Sequence, residues 1–145
     1  MNPHDLLAAD HENLRTQAKS LQEAVAKNAK ELQDILRAFQ EHTQKHFKRE
    51  DAYYRILDSE NRVEDRGLIH QLRNDHAAVI FALESLLIRL RKSGVTDDWQ
   101  ARFGNMMKVF LLHLTQEDQN LFPLGQKMLS PEELDTIRQH IENGE

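Results

Sequence analysis

From Glu31 to Asp58 the chain reads ELQDILRAFQEHTQKHFKREDAYYRILD, with apolar residues at Leu32, Ile35, Leu36, Phe39, Tyr53 and Leu57. Steps of three and four hold these on one face of a helix of 3.6 residues per turn. Followed through its middle, the same stripe runs over Thr43, His46 and Glu50. A helix over 30–58 therefore carries an imidazole and a carboxylate on the face that should meet the core. Four positions apart is a rotation of only about 40°, so the two groups sit one turn apart on a common line.

Similar stripes flank this segment on both sides. Leu7, His11, Leu14, Ala18, Leu21 and Val25 predict a helix over 4–27, and Ile69, Leu72, His76, Val79, Leu83, Leu86, Leu87 and Leu90 predict one over 66–92 that stops at Ser93-Gly94. Thr96-Asp97-Asp98 supplies a cap and first-turn acids for a helix over 97–128 with Phe103, Met106, Phe110, His113, Glu117, Leu121 and Leu124 on its inner face. Pro123 should kink or end that helix near its last turns. Ser130-Pro131-Glu132-Glu133 opens a short helix over 131–143, expected to act as a lid or end brace. The charged, non-periodic run from Ser59 to Arg66 reads as an exposed connection between two halves.

Composition agrees with helices. The 145 residues contain only five Gly and three Pro, and the length fits one domain spanning 1–145 with one continuous core. The expected fold is all-α, an antiparallel up-down-up-down four-helix bundle plus the short C-terminal helix. Nineteen basic and 24 acidic residues are mixed along the chain for a net charge of -5, which leaves no basic stripe for nucleic acid. No run is apolar enough to span a bilayer and the start lacks a secretory pattern, so a cytoplasmic location is expected. With no Cys, any metal must be held by nitrogen and oxygen donors.

The halves repeat each other. Asp10-His11 and Asp75-His76 open them; His46 with Glu50 and His113 with Glu117 close them, each pair followed by an Asp. From His11 to His46 is 35 residues, and from His76 to His113 is 37. This is the pattern of a duplicated helical hairpin. Packed about a pseudo-twofold axis, the two hairpins would bring His11, His46, Glu50, His76, His113 and Glu117 together at mid-bundle, where facing side chains build metal sites. One His on an apolar face is more often a core residue bonded to a neighbour, but six such groups in register are not. Two His per metal with two bridging carboxylates make a dinuclear site with open positions, and an iron pair is its natural occupant. Left unpaired in an apolar stripe, these groups would cost several kcal/mol.

A lone His in the first helix, His-x3-Glu in the second, a His in the third and His-x3-Glu in the fourth resembles the hemerythrin family of His-His-Glu cation-binding domains, from Pro3 to Leu129. The resemblance implies two non-haem iron ions with an oxo or hydroxo bridge, able to bind dioxygen, nitric oxide or peroxide; zinc or manganese could substitute. Oxygen-carrying members have a second His one turn before the third-helix ligand, where this chain has Leu72. They also use an Asp five residues after the fourth-helix His, where this chain has Asp118 behind Glu117. The four-His, two-Glu set looks more like bacterial members associated with nitrosative stress and iron-sulfur repair. Those carry a Cys-bearing N-terminal segment with no counterpart in this sequence, so the mechanism of repair would differ, and an iron-handling or stress-repair role stands as an alternative function.

Asp51 and Asp118, about 100° further around from the Glu ligands, are expected at the rim or beside the ligands, with Asp118 as the alternative carboxylate, and His42, one turn before His46, as a group beside the ligands. Tyr53 is expected to pack. His4, His70 and His140 read as ordinary, and Lys45, Lys48, Arg49 and Arg55 as a solvated face. Three functions compete: binding or sensing of dioxygen or nitric oxide; a peroxidase, oxidase or nitric oxide reductase; and a bundle that holds no metal or takes zinc incidentally. Neither Glu-x-x-His nor His-Glu-x-x-His occurs, which excludes the ferritin-like and metalloprotease patterns.

Overall fold

Asn2 accepts a hydrogen bond from the backbone N–H of Asp5 (3.0 Å) and Pro3 follows at the first helical position, so the chain enters its first helix with a cap and a preset φ. The computed structural model describes residues 2–59 and 66–144. It comprises α1 (Pro3–Ala26), α2 (Leu32–Asp58), α3 (Arg66–Ser93), α4 (Asp97–Gln116), a π-helical turn (Glu117–Leu121), α5 (Phe122–Met128) and α6 (Pro131–Asn143). The expected connection over 60–65 lies outside the described residues.

The ends form where the sequence marks them. Gly94 adopts a positive φ of 68° to stop α3, Thr96 accepts from the Trp99 N–H (3.1 Å) to start α4, and Ser130 and Glu133 form a reciprocal capping box on α6. One element departs from expectation: the helix predicted over 97–128 is not continuous. Pro123 has no N–H to donate and its ring would crowd the carbonyl four residues back. The Phe122 N–H bonds to the Glu117 carbonyl, five residues back, so the ladder widens just before the proline. The chain then resumes as α5.

Each long helix passes through three layers. The upper apolar cluster takes Leu14 and Ala18 from α1, Leu36 and Phe39 from α2, Val79 and Leu83 from α3, and Phe103 and Phe110 from α4. The lower one takes Leu7, Tyr53, Leu57, Ile69, Leu72, Leu121 and Phe122. Numbers rise from lower to upper along α1 and α3 and from upper to lower along α2 and α4, which is the up-down-up-down arrangement. Neighbours pack in sequence order, and α1 meets α4 to close the bundle. Between the clusters lies a buried polar layer. Ile137 and Ile141 of α6 join the lower cluster while α6 packs on α1 and α2. Among the described residues no helix is long and apolar enough to cross a membrane.

Candidate metal centre

The polar layer is made by all six residues that the helical period placed on the inner stripes. His11, His46, Glu50, His113 and Glu117 are buried, and His76 keeps 13 % of its side chain exposed. The period of about 3.6 residues per turn explains the layer: His46 and Glu50, like His113 and Glu117, are four residues and so about one turn apart on the same face, while His11 and His76 reach in from the antiparallel neighbours.

The donors form two sets that share both carboxylates. His11, His46, Glu50 and Glu117 make one, and His76, His113, Glu50 and Glu117 the other; in each, one donor atom per residue lies within 4.8 Å of the rest. His11 Nε2 is 3.1 Å from Glu117 Oε1 and 3.7 Å from Glu50 Oε2, and His46 Nε2 is 3.2 Å from Glu50 Oε1. In the second set His76 Nε2 is 3.1 Å from Glu50 Oε1, and His113 Nε2 is 3.1 Å from Glu117 Oε1. Donors bound at about 2.0–2.2 Å to one ion stand about 3–4 Å from each other, so these spacings suit a shared cation.

The outward nitrogens are tied down by carboxylates. His11 Nδ1 is 2.8 Å from Asp118, His46 Nδ1 is 2.9 Å from Asp10, and His113 Nδ1 is 3.2 Å from Asp75. Arg15 in turn donates to Asp118, and Arg49 Nε lies 3.2 Å from Asp10. An ionised carboxylate only accepts, so each Nδ1 carries a hydrogen and each neutral ring presents its Nε2 lone pair to the interior. Imidazoles that ligate a metal are oriented by such partners.

Several inward atoms have no hydrogen-bond partner: His11 Nε2, His46 Nε2, both Glu50 oxygens and Glu117 Oε1. They approach one another closely but not in hydrogen-bond geometry. A buried polar atom left so costs about 1–3 kcal/mol, and five at one point are explained by a cation that engages them together. Without it, protons serve. Burial alone would lower His11, yet Asp118, Glu117 and Glu50 raise it to about 11. Burial likewise opposes His46, which Glu50 and Asp10 lift to about 9. Glu50, despite complete burial, is held below the ordinary carboxylate range by His46, His11 and His76. A metal therefore competes with protons for these nitrogens.

Other expectations resolve as follows. Asp118 lies outside both donor sets and acts through His11. His42 is exposed and bonds to Gln17 (2.6 Å) at the rim of a cleft that also reaches His46. His70 and His140 lie at the surface. His4, read only as an ordinary residue near the chain start, is buried, 5 % exposed, against the Tyr53 hydroxyl (2.8 Å). The sequence reading also passed over Tyr54, whose hydroxyl donates to Glu117 Oε2, and assigned no task to Asp10 and Asp75. The repeated Asp-His dipeptide was the available signal for the latter pair.

Residues 2–125 match the profile of the hemerythrin HHE cation binding domain. No curated protein and no solved structure gave a significant match. The matched residues take in α1 to α4 and all six side chains of the polar layer, a His/Glu cluster that fits a metal cation. The chain belongs to the hemerythrin HHE cation binding domain family.

Proposed function

We propose that this protein holds two iron ions, one in each donor set, and uses them to bind or sense dioxygen or nitric oxide. The observation that carries this reading is the pair of four-donor sets with Glu50 and Glu117 in common. Two carboxylates shared between two positions keep the cations close and offset their charge, and two imidazoles complete each set without thiolate. This mixture of borderline nitrogen and hard oxygen suits iron, with zinc or manganese as substitutes. An iron pair, when bound, supplies open coordination positions and reducing electrons.

The chain's own residues set what reaches the pair. Leu72, Tyr53 and Phe122 close the layer from below and Phe47 and Leu114 from above, so bulk water and large solutes are kept out. His76 is the most exposed of the six, at the foot of a surface cleft lined by Phe47, Lys48, Asp51 and Ala77. A diatomic gas or a peroxide is small enough to pass there. The acidic net charge and the absence of a spanning helix among the described residues favour a small-molecule partner in the cytoplasm over nucleic acid or membrane.

A second reading, a peroxidase, oxidase or nitric oxide reductase, draws on Tyr54, whose hydroxyl hydrogen sits on Glu117 as a proton source beside the centre. An iron-handling or stress-repair role would use the same residues. Elemental analysis of protein expressed with iron, with spectra under air, argon and nitric oxide, tests the proposal. Close to two irons per chain and ultraviolet bands that respond to gas are expected; no iron, or a little zinc with a featureless spectrum, would overturn it. Turnover of peroxide or nitric oxide would favour the enzyme.

A further inference from the structure

A second buried cluster of polar and aromatic groups lies just below the metal layer and takes no part in it. Tyr53 is completely buried, and its hydroxyl is 2.8 Å from His4 Nε2 and 3.4 Å from the Leu121 carbonyl. The second distance is too long for a good O–H···O bond, so the phenol donates to the imidazole nitrogen. Burial lowers the His4 pKa, which leaves that ring neutral with a free lone pair to receive a proton. A phenol hydrogen-bonded to a neutral base inside a protein is set up to lose an electron and a proton together.

The pair is connected to the centre. The Phe122 ring stacks on His11 at 5.3 Å and meets the rings of Tyr53 and His4 edge-on at 5.7 and 5.8 Å. Gly125 gives an independent sign that the pair is kept for a purpose. A Cβ there would stand 1.7 Å from the Tyr53 hydroxyl oxygen and 3.2 Å from His4 Nε2. Glycine inside a helix costs about 0.5–1 kcal/mol against alanine, and here it makes room for the hydroxyl and imidazole to meet.

We propose that Tyr53 and His4 form a one-electron relay that supplies the metal centre with an electron when a peroxide is reduced there. This rests on the di-iron reading and goes beyond it. Reduction of hydrogen peroxide to two waters takes two electrons and two protons. Were the centre to hold iron able to supply one of those electrons, Tyr53 would supply the other. The phenolic proton crosses to His4 Nε2, leaving a neutral phenoxyl radical and an imidazolium, and both protons that end in water come from solvent. Two equivalents of a small one-electron reductant would then close the account, one restoring the phenol as the proton returns from His4 and one replacing the electron drawn from the centre.

The test is to mix the iron-loaded, partly reduced full chain with hydrogen peroxide, freeze it rapidly and record electron paramagnetic resonance, with bound iron measured on every sample. A tyrosyl signal is expected that disappears in Tyr53→Phe. In His4→Gln, which keeps a polar partner but removes the base, the yield should fall at least about tenfold. The His4→Gln variant keeps the core aromatic, so it decides the matter if Tyr53→Phe fails to fold. Iron-loaded wild type without a radical overturns the relay alone. A signal that persists in Tyr53→Phe belongs to Tyr54 and overturns it too. Wild type that holds no iron sinks the di-iron reading and the relay with it.

Discussion

The two hairpins supply matching residues to the centre but do not hold them alike. Asp10 on α1 fixes His46 on α2, and its counterpart Asp75 on α3 fixes His113 on α4. The next pair breaks the match. Asp118, one residue after Glu117, reaches His11 Nδ1 and is itself gripped by Arg15, whereas Asp51, one residue after Glu50, is exposed and does not serve the His76 Nδ1 in that way. His76 instead lies flat on Phe47, ring centres 3.8 Å apart and planes within 12°. The difference coincides with the π turn, which starts at Glu117, whereas Asp51 lies on regular α2. One donor set thus has both imidazoles locked by acids; the other has one locked and one stacked.

The comparison is broken most severely by removing ligands. His46→Ala and His113→Ala should each lose most of the metal in one set, while His140→Ala keeps full content; elemental analysis showing equal losses in all three would refute the assignment. Glu117→Ala removes a donor common to both sets and should empty both, whereas Asp118→Ala should retain two metals at saturation. The reverse order would make Asp118 the ligand. A finer effect separates the halves: Asp118→Asn should weaken the His11 set by about 10–100-fold, read by competition with a chelator, and Asp51→Asn should leave both sets unchanged. Equal effects would remove the asymmetry.

The smallest expected effect concerns pH in the metal-free protein. His11 and His46 are raised to about 11 and 9 by the carboxylates around them. A raised imidazole contributes stability that is complete below its unfolded value of about 6.5 and is lost as pH climbs through the folded value. Metal-free protein should therefore melt lower at about pH 10 than at about pH 6, and metal-loaded protein, whose nitrogens are already deprotonated, should lack that fall. A metal-free midpoint that rises over this range would contradict the pairing.

What could be read in advance followed the helical period. His11, His46, Glu50, His76, His113 and Glu117 are all visible as polar members of apolar stripes, because a stripe fixes which residues face inward without knowledge of the partner helix. Asp118 was legible as a residue beside the ligands but not as the partner of His11, and Asp10 and Asp75 were not legible in their roles, since each acts across a helix interface whose rotation the one-dimensional pattern does not carry. Pro123 signalled a disturbance in the last helix but not that it would be absorbed as a π turn beginning at a site residue. His4 was passed over because an imidazole in a first helical turn is ordinarily wet; here α5 and Phe122 cover it. Tyr54 stands one residue off the stripe, and its reach to Glu117 depends on where α4 widens.

The polar layer also divides the apolar interior into two separate parcels, and side chains that bind a cation are what span the gap between them. Cooperativity of unfolding should then depend on whether the site is filled: without a cation, the two parcels would lack a common fastener and should melt with less regard for each other. Trp99, the single tryptophan, stacks on Phe103 and donates its indole N–H to the Leu86 carbonyl entirely within the upper parcel. Its fluorescence is a built-in gauge of that half alone, and its divergence from the far-ultraviolet helical signal would show the molecule coming apart in stages.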